Sequence, residues 1–183
     1  MPVKAAFGNM DNEKQTPFGN VSKKVFDELR KAGWSPERDK TSIADDFSKS
    51  LGSHWVPAAA SFIRNFGGLS FYGTLWAWEK PIWDQDIIAV ESKIEEVAGT
   101  KVVPVASSSY SGDGCLIWID ENGRYYAVDS EGMTFVGNNM PKALEVLLGG
   151  APLPEPPPEL KEKLAEPYDW SGINPNSEVR RHF

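Results

Sequence analysis

Two stretches decide the fold: Ala32-Gly33-Trp34-Ser35-Pro36-Glu37-Arg38, and further on Pro57-Ala58-Ala59-Ala60-Ser61-Phe62-Ile63-Arg64-Asn65-Phe66-Gly67-Gly68-Leu69. Each reads as a helix stopped by glycine and followed by a bulky apolar anchor. Upstream of the first, Val21, Val25, Leu29 and Ala32 recur at helical spacing with charged residues opposite. Gly33 can take the left-handed conformation that ends such a helix. Between the blocks, Thr41-Ser42 offers a cap to a second helix whose stripe is Ile43, Phe47 and Leu51. Asp45 and Asp46 are expected in its first turn, where the helix dipole favours negative charge. In the second block Pro57 is preorganised for a first helical position. Ala59, Phe62, Ile63 and Phe66 then form one face before Gly67-Gly68 ends the helix.

Beyond Leu69 the period changes to two. One face reads Leu69, Phe71, Gly73, Leu75, Ala77; the other reads Ser70, Tyr72, Thr74, Trp76, Trp78. This is a strand, or a hairpin bent at Gly73. Asp84 or Asp86 can cap a fourth helix with Ile87, Val90, Ile94 and Val97 inward. Val102 to Val105 reads as a short strand, with Pro104 marking an edge or a bulge. The stretch Ser107-Ser108-Ser109-Tyr110-Ser111-Gly112 reads as a flexible loop. Leu116-Ile117-Trp118-Ile119 is apolar on both faces, as in a covered central strand. Asp120-Glu121-Asn122-Gly123 and Asp129-Ser130-Glu131-Gly132 are hairpin turns. A last helix near Met140 to Leu148 ends at Gly149-Gly150.

Hairpin-linked strands with helices gathered beside them predict an α+β domain with a central, mostly antiparallel sheet. Residues 1–20 lack periodicity and are expected to form a flexible N-terminal arm. Residues 21–150 are the domain. Residues 151–183 are a proline-rich linker and a tail that could dock through Tyr168 and Trp170.

Composition narrows the function. The net charge of −7 is uneven: residues 1–40 carry +2, residues 41–100 −4, residues 101–150 −3 and the remainder −2. An acidic body argues against nucleic acid, whose affinity comes largely from Lys and Arg on phosphates. It suits a basic partner equally with plain solubility. No apolar run approaches the ~20 residues of a membrane span. Met1-Pro2-Val3-Lys4-Ala5-Ala6-Phe7 breaks into Gly8-Asn9 too early for a secretory signal. A single cysteine, Cys115, excludes an internal disulfide and fits a reducing cytoplasm.

In this order, the two opening blocks resemble the SUKH superfamily, specifically its third subfamily of bacterial immunity proteins. Gly99-Thr100-Lys101-Val102-Val103-Pro104-Val105, Ile119-Asp120-Glu121-Asn122-Gly123-Arg124-Tyr125-Tyr126 and Ala143-Leu144-Glu145-Val146-Leu147-Leu148-Gly149-Gly150 are similar to later family segments. The likeness spans residues 25–150. It implies a central sheet flanked by helices, and a protein that binds and neutralises a cognate toxin domain, often a nuclease or deaminase. The other class to weigh is a regulatory or scaffolding module of the same superfamily; an enzyme is the third. Gly33, Trp34, Arg38, Gly67 and Gly68 read as fold signatures, with Arg38 pairing a carboxylate or the orphan carbonyls of a helix end.

No catalytic constellation stands out. The histidines are His54 and His182, too few with one cysteine for a zinc site. Asp120-Glu121-Asn122-Gly123 lacks the downstream glutamate of a calcium loop. Cys115 adjoins an apolar strand and is expected to be buried; no cofactor is expected. The remaining anomaly is aromatic. Trp76, Trp78, Trp83 and Trp118 crowd together, and the Ser70–Trp78 face is amphipathic. That face is either covered by a helix or the tail, or is an interface. As an interface it would have Tyr72, Trp76 and Trp78 as anchors and Glu79, Asp84 and Asp86 on the rim. The loop from Tyr110 to Asp113 would lie nearby. The toxin's identity and the oligomeric state are left open.

Overall fold

The computed structural model describes residues 13–82, 85–109 and 114–166, with the side chains of residues 85 and 86 outside that description. Two strands, β1 (Glu13–Thr16) and β2 (Gly19–Ser22), pair as a hairpin and lead into α1 (Lys23–Lys31). Ser22 caps α1, its hydroxyl accepting from the Val25 amide at 3.3 Å, and Val25 and Leu29 turn inward. The chain then reverses so that the Trp34 amide reaches the Leu29 carbonyl at 3.0 Å, which drops the indole into the core. Residues 13–20 therefore are not a loose arm. Phe18 at the hairpin packs edge-to-face on Trp34 and Phe66, at centroid distances of 5.6 and 5.4 Å.

Next come α2 (Thr41–Leu51), 3₁₀ turns at Gly52–His54 and Pro57–Ala59, and α3 (Ala60–Phe66). No side chain caps α2. The Thr41 hydroxyl donates instead to Asp39 at 2.6 Å, and Asp45 and Asp46 fall beyond the first turn. The strands β3 (Ser70–Phe71) and β4 (Leu75–Ala77) make the hairpin bent at Gly73, and α4 (Gln85–Ala98) follows. Then come β5 (Val102–Ser108), β6 (Cys115–Asp120), β7 (Tyr125–Val128), β8 (Met133–Gly137) and α5 (Met140–Leu147). The six strands β3 to β8 lie side by side in chain order and every neighbouring pair is antiparallel. This is a mixed α+β domain. Among the described residues no helix is long and apolar enough to cross a membrane.

The middle of the sheet is covered on both faces, since every residue of β5, β6 and β7 is buried. Side chains alternate along a strand, so Tyr125 and Tyr126 point to opposite sides. Tyr125 faces Phe62 of α3, and Phe71 faces Phe66. Tyr126 shares the other face with Trp118 and Asp120, its register neighbour and its hydrogen-bond partner. Of the two readings of Pro104, an edge or a bulge, the structure takes the second: the strand is interior, the register shifts between Pro104 and Ala106, and a bulge leaves a proline without an obligatory N–H partner. One expectation fails in β5: Ser107 and Ser108 belong to this strand rather than to a loop.

The tail also joins the domain. A sixth helix, α6 (Pro158–Ala165), inserts Leu160, only 1% exposed, into the common core. Lys163 Nζ donates to the Glu96 carbonyl at the end of α4 at 3.1 Å, where the helix dipole favours a cation. Tyr168 and Trp170, the residues expected to dock the tail, lie outside the described residues. Removing residues 151–183 is expected to lower the thermal midpoint by about 5–10 °C. Burying one leucine is worth roughly 1.5–3 kcal/mol, and in a chain this size each kcal/mol moves the midpoint by about 2–4 °C. An unchanged midpoint in a thermal melt would show that α6 contributes nothing.

Candidate functional site

The hairpin β3–β4 forms one edge of the sheet and carries the aromatic face. Phe71-Tyr72-Gly73-Thr74 closes a tight turn, with the Thr74 amide donating to the Phe71 carbonyl at 2.8 Å. Both central residues have positive φ, +44° at Tyr72 and +72° at Gly73, as the mirror-image turns of hairpins require. Gly73 adopts this freely. Tyr72 does not: a bulky residue in the left-handed region is an outlier. Tyr72 is the only non-glycine residue with positive φ among those described.

The strain is held in place from β5. Ser108 Oγ donates to the Thr74 carbonyl at 2.7 Å, the Ser109 amide donates to the same carbonyl at 3.0 Å, and Ser109 Oγ donates to the Gly73 carbonyl at 3.0 Å. Ser108 is buried and Ser109 exposed, and both brace the turn. The Tyr72 ring itself is 67% exposed. Lys31 at the end of α1 lies over it, its ammonium 5.8 Å from the ring centroid. Glu28 pairs with Lys31 at 2.7 Å and holds that ammonium's pKa above its usual value. Trp76 is half-buried alongside: a methyl group on Gly73 would sit 4.0 Å from its Cζ2.

The other expected site residues divide. Glu79 is exposed at the far end of the hairpin, beside Gly68. Trp78 is not a surface anchor. It is 6% exposed and part of the core, because the return strand ends at Ala77 and the Trp78 amide turns in to the Val105 carbonyl at 3.0 Å. Asp84, Tyr110 and Asp113 lie outside the described residues, and Asp86 belongs to α4 with its side chain outside the description.

Three further features bear on chemistry. Cys115 is buried in β6, as its apolar neighbours predict. Arg38 donates to the Gly67 carbonyl at 2.7 Å and so closes the end of α3, the second of the two roles expected for it. His54 engages Glu91 of α4, with Nδ1 at 2.9 and 3.0 Å from its two carboxylate oxygens. The Glu91 side chain is only 7% exposed against 47% for His54, and burial raises its pKa despite the histidine. This pair was not visible in the sequence, where 37 residues separate its members.

The Asp120 turn is a self-contained network. Asp120 Oδ1 accepts from the amides of Asn122 and Arg124 at 2.9 Å, while Oδ2 accepts from Arg124 Nε at 2.5 Å and the Tyr126 hydroxyl at 2.9 Å. Its oxygens serve the chain's own donors. Arg124 continues to the Ala98 carbonyl at the end of α4 and to Glu159 of α6, at 2.9 and 3.7 Å. Among the described residues no three His, Cys, Asp or Glu side chains gather where they could hold a metal ion.

The hairpin thus presents an exposed aromatic side chain at an edge of the sheet. Neither a curated protein nor a solved structure matches the chain. The family model of the SUKH-3 immunity proteins matches residues 21–150, a span that takes in β3 to β8 and the helices α1 to α5, and the chain belongs to the SUKH-3 immunity protein family.

Proposed function

We propose that this chain neutralises a cognate toxin domain by binding it one to one, with the β3–β4 hairpin as the centre of the contact. The observation that carries the reading is Tyr72, a large aromatic side chain held at positive φ and left 67% exposed. Strained backbone persists where the surroundings over-determine it, and it concentrates at functional positions. Tyrosine and tryptophan are the residues on which interface energy most often rests. Trp76 would be the second anchor and Glu79 a rim charge. On the sequence reading, Asp84 and Asp86 would join Glu79 on the rim, with Tyr110 and Asp113 nearby.

The net charge of −7 favours a basic toxin domain and speeds its capture. A nuclease fits this best, since such a domain must itself be basic to hold its substrate; a deaminase acting on nucleic acid fits on the same ground. The protein would act in the cytoplasm of the producing cell, where a single thiol stays reduced. Binding would be the whole mechanism: the toxin's active surface is covered and no bond changes in the immunity protein.

The test is coexpression with the toxin domain encoded beside this gene. A stable 1:1 complex and survival of cells that the toxin alone kills are expected. Toxicity unrelieved by coexpression, with no complex on size exclusion, would overturn the reading.

A further inference from the structure

A second surface differs from the acidic remainder. Between the segment after α1 and the start of α3 lies an open cleft of about 460 Å³, lined by Arg38, Asp39, Ser61, Arg64, Asn65 and proline and alanine side chains. Two arginines line it, Arg38 and Arg64, and neither forms an ion pair with any described residue. Arg38 spends one nitrogen on the Gly67 carbonyl, while its Nε is enclosed without an acceptor. Asp39 is the one carboxylate lining the cleft, and it accepts from Thr41 rather than from either arginine.

The walls are fixed. The Lys40 amide donates to the Arg64 carbonyl at 2.9 Å, tying the segment after Trp34 to α3. Asn65 Nδ2 donates to the Ser61 carbonyl at 2.8 Å, and Asn65 Oδ1 accepts from the Trp34 indole at 3.5 Å. The Ser61 hydroxyl remains a donor with no partner among the described residues. Guanidinium groups match oxyanions through paired N–H donors, and two of them with a hydroxyl can surround a tetrahedral dianion better than a planar monoanion. Burial that lowers the Arg38 pKa is uncompensated by any carboxylate, and a bound anion would supply that compensation.

We infer that the Arg38–Arg64 cleft is an oxyanion site that takes a phosphoryl group, as free phosphate or on a small ligand. Its lining shares no residue with the β3–β4 hairpin. In a chain of net charge −7, phosphate would otherwise be repelled, so saturable binding must come from a local site.

The experiment titrates inorganic phosphate, and separately acetate, into the full chain at constant ionic strength, reading thermal midpoint and calorimetric heat. Saturable binding of phosphate is expected, with acetate at least several-fold weaker. Arg64→Gln, at an exposed position outside the core, should leave the ligand-free midpoint unchanged and weaken phosphate at least tenfold; Ser61→Ala should weaken it less. Equal phosphate responses in wild type and Arg64→Gln would overturn the site, as would no saturable response. Acetate binding more tightly than phosphate would overturn the phosphoryl assignment.

Discussion

Asp120→Ala is expected to lower the folding free energy by about 3–5 kcal/mol, the usual consequence of removing one partner from a buried ion pair. Asp120 is 0% exposed and both oxygens are engaged. Truncation leaves the Arg124 guanidinium, 13% exposed, and the Tyr126 hydroxyl without their acceptor. It also frees two turn amides and slackens the link from β6 through Arg124 to the ends of α4 and α6. At about 2–4 °C per kcal/mol the midpoint should fall by roughly 6–20 °C. Asp120→Asn keeps an acceptor oxygen and should cost less. Glu121→Ala, on the exposed side of the same turn, should stay within about 0.5 kcal/mol. A midpoint within 2 °C of wild type (about 1 kcal/mol) for Asp120→Ala would show that the turn is held by its glycine and backbone bonds alone.

The same turn marks what the sequence could and could not convey. Asp-Glu-Asn-Gly announces a hairpin because its residues satisfy their own backbone, and the turn formed where expected. The glycine-stopped helices were equally legible, since periodicity and stop signal lie within one short window. Long-range pairings leave no such local mark. His54 and Glu91 meet only because α4 packs beside the turn following α2. Leu160 is the one fully buried residue of a polar helix and shows no stripe to announce docking. Ser107 and Ser108 read as loop because serine in a buried strand makes sense only once the neighbouring hairpin supplies carbonyls for Ser108 to bond. Strict alternation puts Trp78 on the face of Trp76, but alternation stops where β4 stops, at Ala77. Of the surface, Tyr72 and Trp76 were legible as an amphipathic face. The positive φ of Tyr72 was not, since hairpin turns of this kind ordinarily advertise themselves with Asn-Gly.

That conformation separates a role in folding from a role in binding. Holding a tyrosine in the left-handed region costs roughly 1–2 kcal/mol, while the Lys31 contact at an exposed site returns about 0.5–1 kcal/mol. Asparagine tolerates the left-handed region and loses the contact, so Tyr72→Asn should leave the free protein slightly more stable, by about 2 °C in midpoint. Its affinity for the toxin should nevertheless fall by at least about 2 kcal/mol, or thirtyfold, as an interface anchor's does. Trp76→Ala, on the same edge, should weaken binding as well. Calorimetry or surface-based kinetics on the coexpressed partner reads the affinity, and a thermal melt of the free chain reads the stability. A variant that gains stability and loses its partner has given up a residue kept for contact. If Tyr72→Asn instead destabilises the free chain, the tyrosine serves the fold. If both variants bind as wild type does, the contact lies off the hairpin, whatever toxin the protein restrains.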